Sequence, residues 1–539
     1  MFICGFPMRS LILSIAAFIS LLAWRTGGLP AQDVSRPPAA SSASSRDQLY
    51  RAANELLQSG RFVQATAAYK AIIARWPGFY QAYSLLGVAY TQMGKLEQAT
   101  ACFLKAVELQ PGSAEARNNL GANYLALKKF SQAAAEFRQV IALSPESVSA
   151  WYNLGASELQ AGRDENSVAA FERAAQLAPG DLQVRIGLAE ARFKAGHPRQ
   201  ALAAIQQAKG IGGNDAGMLL TLGLLLERNG LSDEAVPYFQ DALRLSPSTS
   251  ERMMTLAGSS IDEGDYKTAL GLLGALQGRM DNSAAWHGML GYSHFKLDHI
   301  ELAMEHLQKA IRLDPTNEDY YLDLGELLGE NNALLANVAV FESAIEVLPN
   351  SIKIRLGLAV AHLLTGNLER TEQEIGRVLS LQSKSEVAYK VLLEAFEKSM
   401  DWARMQATAR QLRQLNKTNS VGWYYGALSE YEMALRSKSS FASALALIQK
   451  ASALDSRDWR THFLLGKILV AEGRHREAVS ALQRAIQLNR DHPQPYYVLA
   501  RALQQLARKQ EALEAMNAFR SAKSRMESRQ FRRLLVDIR

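Results

Sequence analysis

The side chains with most chemistry to offer are nine histidines in a chain of 539 residues. His287 and His294 stand seven apart, with His299 and His306 following. Such a density would suit a divalent metal, for which neutral imidazole is a common ligand. No ligand spacing accompanies it, and no metal is expected. Glu326 and Glu330 lie one helical turn apart, the usual arrangement of exposed acids and not a catalytic dyad. No nucleophile motif, phosphate loop or dinucleotide fingerprint occurs. Cys4 and Cys102 are the two cysteines; removal of the N-terminus would leave one thiol and no intramolecular disulfide. Cys102, beside Phe103 on a predicted helix, reads as a buried, inert thiol. The chain is therefore expected to be no enzyme, with no cofactor and no small-molecule substrate.

The formal charge of +7 vanishes once it is located. Residues 1–45 carry Arg9, Arg25 and Arg36 against Asp33, for +2. Residues 520–539 carry seven cations against Glu527 and Asp537, for +5, which leaves residues 46–519 neutral. A protein that tracks phosphate backbones needs positive charge along its surface, so no nucleic acid is expected.

Arg9 precedes an apolar run, Ser10–Trp24, closed by Arg25. Fifteen residues fall short of the roughly 20 needed to span a bilayer. With Gly27–Ala31 behind it, the segment reads as a secretory signal peptide over 1–31, cut after Ala31, or alternatively as an uncleaved anchor. Residues 32–45, ending in SRPPAASSASS, read as a flexible linker. A periplasmic or secreted location follows. Membrane contact is expected only through the N-terminal segment or the basic C-terminal tail.

These features flank a body that repeats every 34 residues. Units begin at 46, 80, 114, 148, 182, 216, 250, 284, 318, 352, 386, 420, 459 and 493. The eighth position is Gly or Ala in every unit but one (Gly87, Gly121, Gly155), and a second small residue follows twelve later (Ala99, Ala133). Small residues let two helices approach closely. Gly94, Gly162, Gly196, Gly230, Gly264, Gly366 and Gly473 would end the first helix of a unit in left-handed backbone. Pro111, Pro145, Pro179 and Pro315 would stop the second. Phe103, Phe137, Phe171 and Phe239 would fill the space between the two.

Order, spacing and residue type over residues 46–526, about 90% of the chain, resemble the tetratricopeptide repeat family. The resemblance implies an all-α fold, an α-solenoid in which about 14 helix-turn-helix repeats form a right-handed superhelix. Phe531, Leu534, Leu535 and Ile538 would cap it from a helix over 527–539. His287 and His294 then occupy the fourth and eleventh repeat positions, where the family packs aromatics. The resemblance also implies a protein-binding groove lined by positions 2, 5, 9, 12 and 13 of the first helices. Tyr152, Phe193, Tyr292, Phe295, Tyr424, Tyr431, Phe463 and Tyr497 fall there, with Leu356, Val360 and Leu364. Asn119 and Asn153 match inner-face asparagines that bind extended peptides in long members. The residues that grip a C-terminal carboxylate in some members are absent, since Tyr50, Leu85 and Glu115 stand in their places.

Protein or peptide partners, gathered by an exported bacterial scaffold, are the function this implies. The alternative is a non-catalytic recognition or assembly subunit of an envelope enzyme, glycosyltransferase or polysaccharide-export complex. One weak joint is expected, between the eleventh and thirteenth units. Leu393 takes the place of the small residue, and five extra residues around Arg436–Ser440 lengthen the turn between the helices of the twelfth unit.

Overall fold

In many repeats the last residue caps the first helix of the next. Ser113, Ser147, Asp181, Ser283, Ser351 and Ser385 sit in extended backbone, and their side-chain oxygens accept the N–H three residues on. Each satisfies a donor that a helix start leaves unpaired, worth about 1 kcal/mol. The first helix then ends on a left-handed residue. All seven glycines expected in that role have φ between +70° and +80°. Where glycine is missing, Lys128, Asp298, Asn332, Met400 and Ala507 take the same conformation, at about 1–2 kcal/mol each.

The structure, a computed structural model, describes residues 42–536, with side chains from 45 to 523 and that of Arg525. The described residues form 28 α-helices and no strand. They are numbered α1 (Ser42–Gln58) to α28 (Lys509–Val536), odd numbers being the first helices of the repeats and even numbers the second. The signal segment lies outside the described residues, as does the linker up to residue 41. Ser42–Ser45, read as linker, already belong to α1. At the other end α28 runs unbroken to Val536, because no Gly or Pro interrupts it. Residues 527–536 thus continue the second helix of the last repeat and are not a separate capping helix. The side chains of Phe531, Leu534, Leu535 and Ile538 lie outside the described set.

The helices group into two compact units, one ending at Asp281 and the other beginning at Asn282. The division follows the second helix of the seventh repeat, Tyr266–Gly274, which has nine residues where its counterparts before the last repeat have 13 to 15. Within each unit every helix packs on its neighbours in sequence. In the first, Tyr69, Phe103 and Phe137 share one core; in the second, Met405, Tyr425 and Ile448 belong to another.

Packing inside a repeat follows a rule of sizes at positions 8 and 24. A Cβ on Gly87 would lie 2.5 Å from the Phe103 ring, and one on Gly121 2.9 Å from Phe137. Where position 8 is alanine, as at Ala189 and Ala359, the partners are Ile205 and Ile375, all four fully buried. The eleventh repeat reverses the order: Leu393 and Ala409 are both fully buried in one core. The large residue there does not loosen the pair, because its partner has become small.

The second half of the expected weak joint also resolves differently. The first helix of the twelfth repeat, α23 (Ser420–Ser437), has 18 residues where the others typically have 13. The five additional residues enter as helix. Leu428, Tyr431 and Ala434 continue the buried stripe at threefold spacing, and only Lys438, in left-handed backbone, ends it.

A further device joins consecutive repeats. The fourth residue of a repeat reaches back six residues to the carbonyl at the end of the preceding second helix. Trp151 Nε1 donates to Pro145 O (2.8 Å), Arg117 Nε to Pro111 O (2.8 Å) and Tyr321 Oη to Pro315 O (3.2 Å). Arg355 and Trp423 do the same to Pro349 and Lys417. Where this bond forms, different residue types supply the donor.

Candidate peptide-binding face

Successive first helices lie side by side. In the first unit α3 (Tyr80–Gln92), α5 (Ala114–Ala126), α7 (Val148–Gln160) and α9 (Leu182–Lys194) touch in turn. In the second, α15 (Ala284–Lys296), α17 (Glu318–Glu330), α19 (Ile352–Thr365) and α21 (Glu386–Lys398) do so, followed by α23, α25 (Trp459–Ala471) and α27 (Gln494–Gln505). Each row makes one continuous inner face.

In the first unit two of the expected residues bridge helices. Asn119 Nδ2 donates to Ser84 Oγ (3.2 Å), and Asn153 Nδ2 to Asn118 Oδ1 (3.4 Å). Asn153 is buried, so its amide serves the packing of α7 on α5 and is closed to a partner. Tyr152 is half-buried and meets Phe171 edge-on at 5.4 Å. Its phenol is pushed up to about 12 by burial, reinforced by Glu190 and Asp181, so it stays a neutral donor. Phe193 is half-buried, and burial also raises the carboxyl of Glu190 against the pull of Lys194 and Arg228.

In the second unit Tyr292 is half-buried, and Lys296 Nζ lies 5.0 Å from its ring centroid and 4.2 Å from that of Phe295. Phe295 itself is buried in a core with Leu307 and Leu324. Tyr424 is half-buried under the Arg460 guanidinium at 5.4 Å, and burial drives its phenol well above the ordinary range. Tyr431 is buried with Lys467 at 4.8 Å. Phe463 is half-buried against Trp459, and Tyr497 is 39% exposed.

Seven of the ten expected residues therefore reach the face, namely Asn119, Tyr152, Phe193, Tyr292, Tyr424, Phe463 and Tyr497. Asn153, Phe295 and Tyr431 do not. Both buried aromatics occupy position 12, near the end of the first helix, and pack into the core beneath the face. The inner face also holds Asp323, which sequence reading passed over. It is half-buried, and its carboxyl is pushed up to about 7 by burial, with Asp319 and Glu326 adding and Lys296 opposing. Its signal was available, as an acid placed between two others on one helical side.

Four of the nine histidines gather on the first repeat of the second unit. His287 Nδ1 is 2.8 Å from His306 Nδ1, and His294 Nδ1 is 3.2 Å from His299 Nδ1. His294 stacks on His306 at 5.8 Å and 9°. Burial, with His306 and His299 adding, lowers His294 to about 4, and His306 is lowered as well. In each close nitrogen pair one ring must donate and the other accept. No three His, Cys, Asp or Glu among the described residues could hold a metal ion. The Cys102 thiol is half-buried, and burial raises it to about 11, which disfavours the reactive thiolate.

Paired helices, with a face built by adjoining first helices in each unit, define a helical-hairpin repeat protein. Family models agree. One described as tetratricopeptide repeat matches residues 50–114, 118–181 and 186–249, and one described as TPR repeat matches 291–332. A third, described as anaphase-promoting complex, cyclosome, subunit 3, matches 437–519. The chain belongs to the tetratricopeptide repeat family.

Among curated proteins it is similar to BBSome complex member BBS4 of Bos taurus, 21% identical over 54% of this chain and 55% of that protein. Lipopolysaccharide assembly protein B of Escherichia coli strain K12 is 22% identical over 42% of this chain and 60% of that protein. The chain thus spans little more than half the length of these relatives. Among solved structures, the APC/C hetero-tetramer Cut9-Hcn1 is 12% identical, covering 86% of this chain and 97% of that one at a TM-score of 0.36.

Proposed function

We propose that this chain is an exported scaffold that binds polypeptide partners along the inner faces of its repeats. The observation that carries the reading is the row of adjoining first helices within each unit, with half-open aromatic and aliphatic side chains. Tyr497 and Val360 are each 39% exposed and Leu364 is 47% exposed, while polar and charged residues stand between them. Aromatic anchors set among polar groups are what a polypeptide interface uses. The family is one of protein-interaction folds. Export rests on the run Ser10–Trp24 between Arg9 and Arg25, and N-terminal sequencing of the exported protein should begin near Gln32.

A relative named as a lipopolysaccharide assembly protein favours a second reading within the same class. In it the chain is the non-catalytic assembly subunit of an envelope glycosyltransferase or polysaccharide-export complex. Affinity capture from envelope extract tests both. The full chain should retain a defined partner that a Tyr152→Ala, Tyr424→Ala, Tyr497→Ala variant loses. Co-purification of a glycosyltransferase activity would select the second reading. Undiminished capture by the folded variant would contradict both.

A further inference from the structure

The inner side of α19 carries Leu356, Val360 and Leu364 one helical turn apart. Leu356 is half-buried, and Val360 and Leu364 are exposed, so an aliphatic stripe stands open where charged and polar side chains would be the ordinary choice. On the adjoining α17, Asp319, Asp323, Glu326 and Glu330 follow one another at spacings of four, three and four, which places them along one side of the helix.

Ion pairs fix the two helices against each other and against α15. Lys353 of α19 reaches Glu318 (2.9 Å) and Asp319 (3.3 Å), and Lys296 of α15 reaches Glu326 (2.8 Å). Five carboxylates thus face two ammonium groups. Asp323 has no ion-pair partner among the described residues, and its carboxyl is held up to about 7 by burial beside Asp319 and Glu326. On the far side of the stripe, Lys398 of α21 donates to the Leu363 carbonyl at 2.8 Å, and Lys390 stands four residues from Glu394 on the same helix. The face is aliphatic along one strip and short of positive charge along the next.

We propose that this face binds a polypeptide segment that carries Lys or Arg beside aliphatic residues. Its cations meet the carboxylates of α17, and its aliphatic side chains cover Leu356, Val360 and Leu364. Complementary charge sets orientation and selects against acidic segments, and the stripe supplies apolar area. The inference rests on the inner face being the binding surface and adds the chemistry of the occupant.

The probe is a fluorescein-labelled peptide of repeated Leu-Lys-Lys-Leu, compared by anisotropy on the full chain with its Leu-Glu-Glu-Leu counterpart. The basic peptide should bind at least about tenfold more tightly, and more weakly as salt rises. The variant Asp323→Asn, Glu326→Gln, Glu330→Gln should lose that preference and most of the salt dependence. Val360→Ser with Leu364→Ser should weaken binding about tenfold and leave the salt dependence in place. Circular dichroism establishes that each variant is folded. Equal binding of the two peptides, or a preference that survives the carboxamide substitutions, overturns the proposal. If neither peptide binds while native partners still cross-link to Tyr424 and Tyr497, the proposal falls and the inner-face reading stands. If those cross-links are absent too, both fall.

Discussion

Leu393 and Ala409 occupy the two core positions that Gly87 and Phe103 hold in the second repeat, with the sizes exchanged. The pair conserves volume where a single large residue would overpack. Gly121→Leu alone should therefore destabilise by about 1–3 kcal/mol, since a Cβ there already lies 2.9 Å from Phe137. Phe137→Ala alone should cost about 3–5 kcal/mol. The double variant reproduces the arrangement of the eleventh repeat and should cost less than the sum by about 1 kcal/mol or more. Urea denaturation measures all three, and strict additivity would reject the rule of sizes.

The backward bond from position 4 predicts a different substitution pattern. Trp151→Phe keeps the ring and loses the donor to Pro145 O, and should cost about 1 kcal/mol. Trp151→Arg restores a donor of the kind Arg117 supplies and should recover stability despite removing an aromatic ring. Destabilisation by Arg that exceeds that by Phe would show that the position selects for packing.

Two groups on the second unit make opposing contributions between pH 4 and 7. His294 is held near 4, below its unfolded value of about 6.5. Its contribution is full above about pH 6.5 and is lost as pH falls toward 4. Asp323 is held near 7, above its unfolded value of about 3.9. Its contribution is present below about pH 4 and is lost as pH rises through 7. Asp323→Asn should raise the urea midpoint at pH 7.5 and change it little at pH 4, whereas His294→Gln should flatten the acid limb. Identical pH profiles for both variants and the parent would contradict these assignments.

Limited trypsin treatment should cut first after Lys438. Arg436 lies in the last turn of α23, with its guanidinium 5.7 Å from the Trp402 ring centroid, but Lys438 is exposed in left-handed backbone before two serines. Exposed loop tips of this kind are where nicking concentrates. A first cut at any other site between residues 50 and 515 would count against the helical extension of α23.

What could be read in advance was whatever repeats in residue type. The 34-residue period, the left-handed glycines and the Phe positions each name one amino acid with one physical job. The caps at Ser113, Ser147 and Asp181 were equally legible, since each closes a unit with a side-chain acceptor. The donors at Arg117, Trp151 and Tyr321 were not, because they share a hydrogen bond and no other property. Leu393 misled for a related reason: its partner Ala409 lies sixteen residues away, and the compensation exists only between them. Phe295 and Tyr431 were placed on the open face by position alone, while their burial depends on the core packed beneath the face.

Site-specific photo-cross-linking tests the central claim most directly. Benzoylphenylalanine would replace Tyr424 or Tyr497 on first helices, and Leu313 or Leu381, both exposed on second helices, in full-length protein expressed in its own cells. The account predicts cross-links to a polypeptide partner from Tyr424 and Tyr497 and none from Leu313 or Leu381. Cross-links from Leu313 and Leu381, with none from Tyr424 and Tyr497, would contradict it.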